Sequence, residues 1–184
     1  MDDKDMGQDL EKVLIPADEI KAKVAGLARA IEADYQGKEV LLVGVLNGAL
    51  VVMADLIREL HIDSEMDWMA ISSYGAGTKS SGVVRILKDL GADIQDRHVL
   101  VVEDIIDSGL TLSWLLSNLR SRRPASLEVV TLLRKPDAAK VAIDVKYVGF
   151  DIPNEFVVGY GLDYAQRFRG LPFIGTLAPH VYSS

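Results

Sequence analysis

Residues 99–111 read VLVVEDIIDSGLT, and the side chains in this run are of two opposed kinds. A run of apolar residues ends in two adjacent carboxylates, Glu103 and Asp104, and a third acid, Asp107, follows three residues later. Ser108, Gly109, Leu110 and Thr111 then open what reads as a helix. Ionised carboxylates only accept hydrogen bonds, so they suit donors such as vicinal sugar hydroxyls, or a hydrated Mg²⁺. The turn 107–111 suits an anion. Gly109 permits tight turning, successive N–H groups at a helix start converge on one phosphate, and Ser108 and Thr111 add hydroxyl donors. Leu110 interrupts this polarity and is expected to tuck its side chain aside. A sugar phosphate has the hydroxyls for the acids and the anion for the turn. The plainer alternative is that Asp107, Ser108 or Thr111 simply caps the helix.

Elements must bring these groups to one place. EVLLVGV (39–45) and HVLVVED are continuous apolar runs, as expected of strands buried on both faces. Ile20, Val24, Leu27 and Ile31 fall at steps of 4, 3 and 4 residues and predict an amphipathic helix ending near Gly37. A second helix is expected over 50–60 and a third after Thr111. Two β-rich runs flank GAGTKSS and predict an antiparallel pair around 64–88, while LEVVTLLRK, KYVGFDI and EFVVGY extend the β content. Strands alternating with helices imply an α/β fold with a mostly parallel central sheet flanked by helices. Ligands of such sheets bind beyond the carboxyl ends of the strands, which directs attention to loops 46–49, 104–111 and 135–138.

Composition narrows the classes. A chain of 184 residues suits one domain, expected over 13–184, with residues 1–12 a mobile acidic tail. The net charge of −7, from 20 basic and 27 acidic residues, argues against nucleic acid as a partner. No apolar run approaches the roughly 20 residues of a membrane helix, so no membrane partner is expected. The start, MDDKDMGQDLEK, lacks a secretory h-region, and there is no cysteine for disulfides or a thiolate metal site. A cytoplasmic protein is expected. His61, His98 and His180 are scattered without metal-ligand spacing.

The run VLVVEDIIDSGLT resembles the phosphoribosyl-diphosphate signature of the type I phosphoribosyltransferases. LVGVLNGAL, SSYGAGTKSSG, LLRKPDA and FVVGYGLDYAQRFRGLPFIG resemble, in order, segments of the hypoxanthine-guanine members of that family, over about residues 12–178. The resemblance implies the type I fold with a small hood and a lid loop. It also implies a Mg²⁺-dependent transfer of the phosphoribosyl group from 5-phosphoribosyl 1-diphosphate to a 6-oxopurine, in purine salvage, by a homodimer or homotetramer. It assigns Glu103 and Asp104 to the ribose hydroxyls and their metal, Asp107 to a proton at purine N7, and residues 107–111 to the 5′-phosphate. Lys135 would donate to O6, Phe156 would stack on the base, and the backbone of Val157 would read its edge. Asp163 would ligate a second Mg²⁺ beside the purine. Asn47, Gly48 and Arg169 would hold diphosphate, and Ser73 and Tyr74 would belong to the lid over 72–82.

For several residues the plainer reading stays open: Lys135 a solvated strand end, Phe156 a core aromatic, Asp163 and Arg169 a surface pair. One departure stands out. The family commonly has Lys before Gly in the first loop, around a cis peptide, and this chain has Asn47 there. A xanthine-preferring relative fits Lys135 nearly as well. A ligand-sensing RNA-binding relative would need a basic face that this composition does not suggest, and the absence of GxGxxG after an early strand argues against a dinucleotide-binding oxidoreductase.

Overall fold

The computed structural model describes residues 3–73 and 84–182. A six-stranded sheet forms its centre, in the order β4-β3-β2-β5-β6-β7: β2 is Val40–Leu46, β3 Ser64–Ser73, β4 Val84–Lys88, β5 His98–Ile106, β6 Ser126–Arg134 and β7 Tyr147–Asp151. All neighbours run parallel except β3 and β4, which pair antiparallel at one edge as the sequence led one to expect.

Alternation along β2 and β5 divides the core in two. Val40, Leu42, Leu100 and Val102 face helices α2 (Ala17–Asp34) and α3 (Leu50–Glu59), whose buried stripes are Ile20, Val24, Leu27, Ala28 and Ile31 on the one and Val52, Met53 and Leu56 on the other. Leu41, Val43, Val99 and Val101 face α4 (Leu110–Ser121), which contributes Leu112, Leu115, Leu116 and Leu119. The apolar runs of β2 and β5 are thus buried on both faces because both faces carry helices.

A second, antiparallel sheet of order β1-β9-β8 makes the hood: β1 is Leu10–Ile15, β8 Val157–Val158 and β9 Ile174–Leu177. This sheet corrects two expectations. Of EFVVGY only Val157 and Val158 are strand; the residues after them enter a turn. The expected tail through residue 12 is too long by at least three residues, because Leu10 and Lys12 pair with Leu177 and Thr176 of β9. Upstream, Asp3–Met6 forms the short helix α1, and Met6 is buried against Val158, Phe168, Leu171 and Phe173. The acidic composition hid this, because one buried methionine among charged and polar residues makes no periodic pattern. Opposite it lies the short helix α5 (Pro179–Tyr182).

Candidate active site

The three expected loops converge at the carboxyl ends of β2, β5 and β6, because these strands are neighbours in parallel register. Ile106 is opposite Arg134, so Asp107 and Lys135 leave adjacent strand ends together. The N–H of Lys135 donates to the carbonyl of Ile106 at 2.9 Å, and the N–H of Lys140 to that of Ser108 at 2.9 Å. Lys135 is 6% exposed, which removes the reading of a solvated strand end. Its Nζ lies 3.4 Å from Asp107 Oδ2. An ammonium without a partner is costly to bury; here it meets a carboxylate that remains open to solvent on its other side.

The two adjacent acids, expected at the end of a strand with Asp104 opening the loop, lie inside β5, which continues to Ile106. Successive strand residues point to opposite faces, so the pair diverges. Glu103 faces the α4 side and lines a cavity of about 250 Å³ with Ile71, Asp107, Ser108, Gly109 and Thr111. Asp104 faces the α3 side, where its Oδ1 accepts from the N–H of Ile105 at 2.8 Å and its other oxygen lies against Gly48. A methyl group on Gly48 would come within 1.7 Å of that oxygen. Burial holds the Glu103 carboxyl well above its ordinary value, and the neighbouring Asp104 adds to this. Burial likewise pushes Asp104 up to about 6, opposed by its backbone hydrogen bonds and by the positive field of Arg169.

The turn at 107–111 is open. Gly109 has φ +78° and precedes α4, and no side chain caps that helix, so the capping reading fails. Ser108 Oγ accepts only a long contact of 3.4 Å from the N–H of Leu110. The first N–H groups of the 12-residue α4 therefore face the cavity beside the hydroxyls of Ser108 and Thr111. Leu110 does not line this cavity; its side chain is turned aside and is 44% exposed.

The hood supplies a second wall. Gly161, at φ +98°, sits so close to the loop after β2 that a Cβ there would lie 2.3 Å from the carbonyl oxygen of Gly48. Arg169 donates from Nη1 to the carbonyl of Gly161 at 2.8 Å and from Nη2 to Gln166 Oε1 at 3.1 Å. The same Nη2 lies 2.9 Å from Asp163 Oδ1. Asp163 and Arg169 do pair, as the plainer reading had it, but beside Gly48 and within the electrostatic reach of Asp104. The Leu46–Asn47 peptide is cis.

Phe156 is 45% exposed, which removes the core reading, and Tyr164 meets it edge-on with centroids 5.7 Å apart. Phe156 and Lys135 line separate cavities. Val157 is buried in β8. Ser73 ends β3, and Tyr74 with most of the expected lid lies outside the described residues. Gly161 and Gln166 orient Arg169 together with Asp163, and neither was expected from the sequence to do so. The available signal was the pair of glycines in VVGYG, spaced two apart at the end of a strand.

Among the described residues no cluster of three or more His, Cys, Asp and Glu could hold a metal ion by itself. Glu103 opens on the α4 side of β5 and Asp104 on the α3 side, toward the field of Asp163, so the three do not converge on one point; each offers oxygens of the kind that a hydrated hard cation takes. No helix among the described residues is long and apolar enough to cross a membrane.

Comparison with known proteins matches residues 16–165 to the phosphoribosyl transferase domain family. The chain is 56% identical over 180 residues to the hypoxanthine-guanine phosphoribosyltransferase of Mycobacterium avium, covering 95% of this chain and 89% of that one. With the enzyme of the same name from Bacillus subtilis it shares 52% identity over 179 residues, 97% and 99% of the two chains. The crystal structure of a hypoxanthine phosphoribosyltransferase from Staphylococcus aureus superposes with a TM-score of 0.95 at 47% identity, covering 99% of both chains.

Proposed function

The chain belongs to the phosphoribosyltransferase family, among its hypoxanthine-guanine members, and from that premise we propose that it moves the 5-phosphoribosyl group from 5-phosphoribosyl 1-diphosphate to hypoxanthine or guanine, yielding IMP or GMP and diphosphate. One observation carries the reading: Asp107 of the anion-binding turn and the buried Lys135 meet at 3.4 Å. In this reading the group at the sugar phosphate and the group that reads the base leave the carboxyl ends of two neighbouring strands.

In this reading the backbone of residues 107–111 and the hydroxyls of Ser108 and Thr111 hold the 5′-phosphate at the head of α4. Glu103 and Asp104 approach the ribose from opposite faces of β5. Lys135 donates to the purine O6, and as a pure donor it disfavours an amino group there. Phe156 stacks on the ring, and the backbone of Val157 reads its far edge. Arg169, with the N–H groups around Asn47 and Gly48, receives the departing diphosphate. The C1′–O bond to diphosphate breaks with its electron pair as the purine N9 forms the new bond to C1′, and Asp107 takes up a proton at N7.

Glu103 and Asp104 would hold Mg²⁺ at the ribose hydroxyls and Asp163 a second Mg²⁺; bound there, the metal would neutralise charge on the diphosphate oxygens. Closure of the 72–82 segment, with Ser73 and Tyr74, would exclude water. Purine salvage in the cytoplasm, by a homodimer or homotetramer, completes the proposal.

The test is product formation from the donor and Mg²⁺ with hypoxanthine, guanine, xanthine, adenine and uracil in parallel. Turnover of the first two is expected. Xanthine as best substrate would change the acceptor, and turnover of none would refute the reading. Asp107→Asn should abolish turnover while nucleotide binding persists.

A further inference from the structure

Resting on that reading, we propose that Tyr160 and Asp55, which line one cavity with Arg169, are positioning residues that act through Arg169 on the diphosphate end of the site. Their hydrogen bond would latch the hood turn onto helix α3.

The turn from Gly159 to Gly161 is a wedge. Its three residues have φ of +99°, +50° and +98°. On one side a Cβ at Gly159 would lie 2.0 Å from the carbonyl oxygen of Phe173; on the other, a Cβ at Gly161 would lie 2.3 Å from that of Gly48. Both flanking positions therefore admit only glycine. The middle one carries a bulky side chain in the left-handed region, a conformation that persists where surrounding contacts impose it. Two contacts do so. The N–H of Tyr160 donates to the carbonyl of Leu171 at 2.8 Å, and its hydroxyl donates to Asp55 Oδ2. Burial and the facing carboxylate push that hydroxyl above its ordinary value, so it remains a donor. The other Asp55 oxygen pairs with Arg58, outside the turn.

Asp55 lies one turn into the helix that begins directly after the 46–49 loop. The latch thus ties the hood to the element that carries Asn47 and Gly48. On the hood side, the residue after Tyr160 offers its carbonyl to Arg169, and its N–H donates to the Arg169 carbonyl at 2.9 Å. Among the described residues no other hydrogen bond joins the 159–161 turn to α3, so without the hydroxyl the spacing between the Arg169 guanidinium and the Gly48 backbone would rest on packing and on the field of Asp104. The phosphate turn and Lys135 stand on β5, β6 and α4, and do not depend on it.

The expected signature is therefore confined to one substrate. Tyr160→Phe should raise the KM for 5-phosphoribosyl 1-diphosphate, and the Kd for Mg²⁺-diphosphate measured by calorimetry, about tenfold, the scale of one hydrogen bond to a charged group. kcat and the KM for hypoxanthine should stay within about twofold. Asp55→Asn retains an acceptor oxygen and should restore most of the donor affinity that Asp55→Ala loses; Arg58→Ala should change neither constant. If Tyr160→Phe does not accumulate as folded protein, Asp55→Ala deletes the same bond from a partly exposed helix position and must give the same donor-specific shift. A lower Tm with unchanged donor KM and diphosphate Kd would make the bond merely structural and overturn the inference, leaving the proposed function intact. A wild-type protein that turns over no base would instead sink the proposed function, and the latch with it.

Discussion

Asp104→Asn is expected to stabilise the protein at neutral pH while impairing it as an enzyme. Folding moves the Asp104 carboxyl from 3.8 to about 6, chiefly by burial. Between those values the native state binds more protons than the unfolded chain, so stability falls as pH rises through the window and the whole cost is present above it. The difference of 2.2 (6 minus 3.8) corresponds to about 3 kcal/mol. Asparagine cannot ionise and so avoids that cost, and its Oδ1 can keep accepting from the N–H of Ile105. The figure is an upper bound, because the new amide N–H₂ would face Gly48 with no assigned acceptor. At about 2–4 °C per kcal/mol for a chain of this size, the Tm should rise by roughly 6–12 °C. The assay is urea unfolding of both proteins in EDTA at several pH values. A gap near 3 kcal/mol at about pH 7.5 should shrink below about 1 kcal/mol near pH 4, where the native carboxyl is almost fully protonated and the unfolded one is only partly ionised, so little of the cost remains. An Asp104→Asn protein no more stable than wild type at neutral pH, or a gap of equal size at both ends, would refute the reasoning. Turnover should fall in the same variant, since a group held at such cost is retained for its charge.

Three further outcomes follow from the geometry. Lys135→Ala should raise the KM for hypoxanthine about 30- to 100-fold and leave the donor KM near wild type, because it removes a charged donor from a buried position beside Asp107; an equal rise in both KM values would show that Lys135 serves the fold instead. Gly48→Ala places a methyl 1.7 Å from Asp104 Oδ2 and should destabilise by about 1–3 kcal/mol in urea, with donor affinity lost; a neutral substitution would mean that the 46–48 loop yields freely. Asn47→Lys should lower the donor KM by up to about fivefold, the worth of one exposed charge pair, and an unchanged KM would show that the backbone donors suffice.

What the sequence by itself determined was the local and periodic part. The helix of Ile20, Val24, Leu27 and Ile31, the twice-buried runs of β2 and β5, and the open turn at Ser108 to Thr111 follow from spacing, from apolar runs and from one glycine. The signature run also carried a resemblance to the family, to which the match over residues 16–165 then assigned the chain. Tertiary structure decided what depends on contacts remote in sequence. Strand alternation inside a β5 longer than expected sent Glu103 and Asp104 to opposite faces; as neighbours in sequence they had read as one side-by-side pair. Parallel register between β5 and β6 brought Lys135 to Asp107 across 28 residues and buried it. The hood joined Leu10 to Leu177 and set Gly161 against Gly48, separations at which no periodic pattern survives. A strand of two residues, or a single buried methionine, has too few repeats to show in a sequence; only the partner surface that covers it gives it a place.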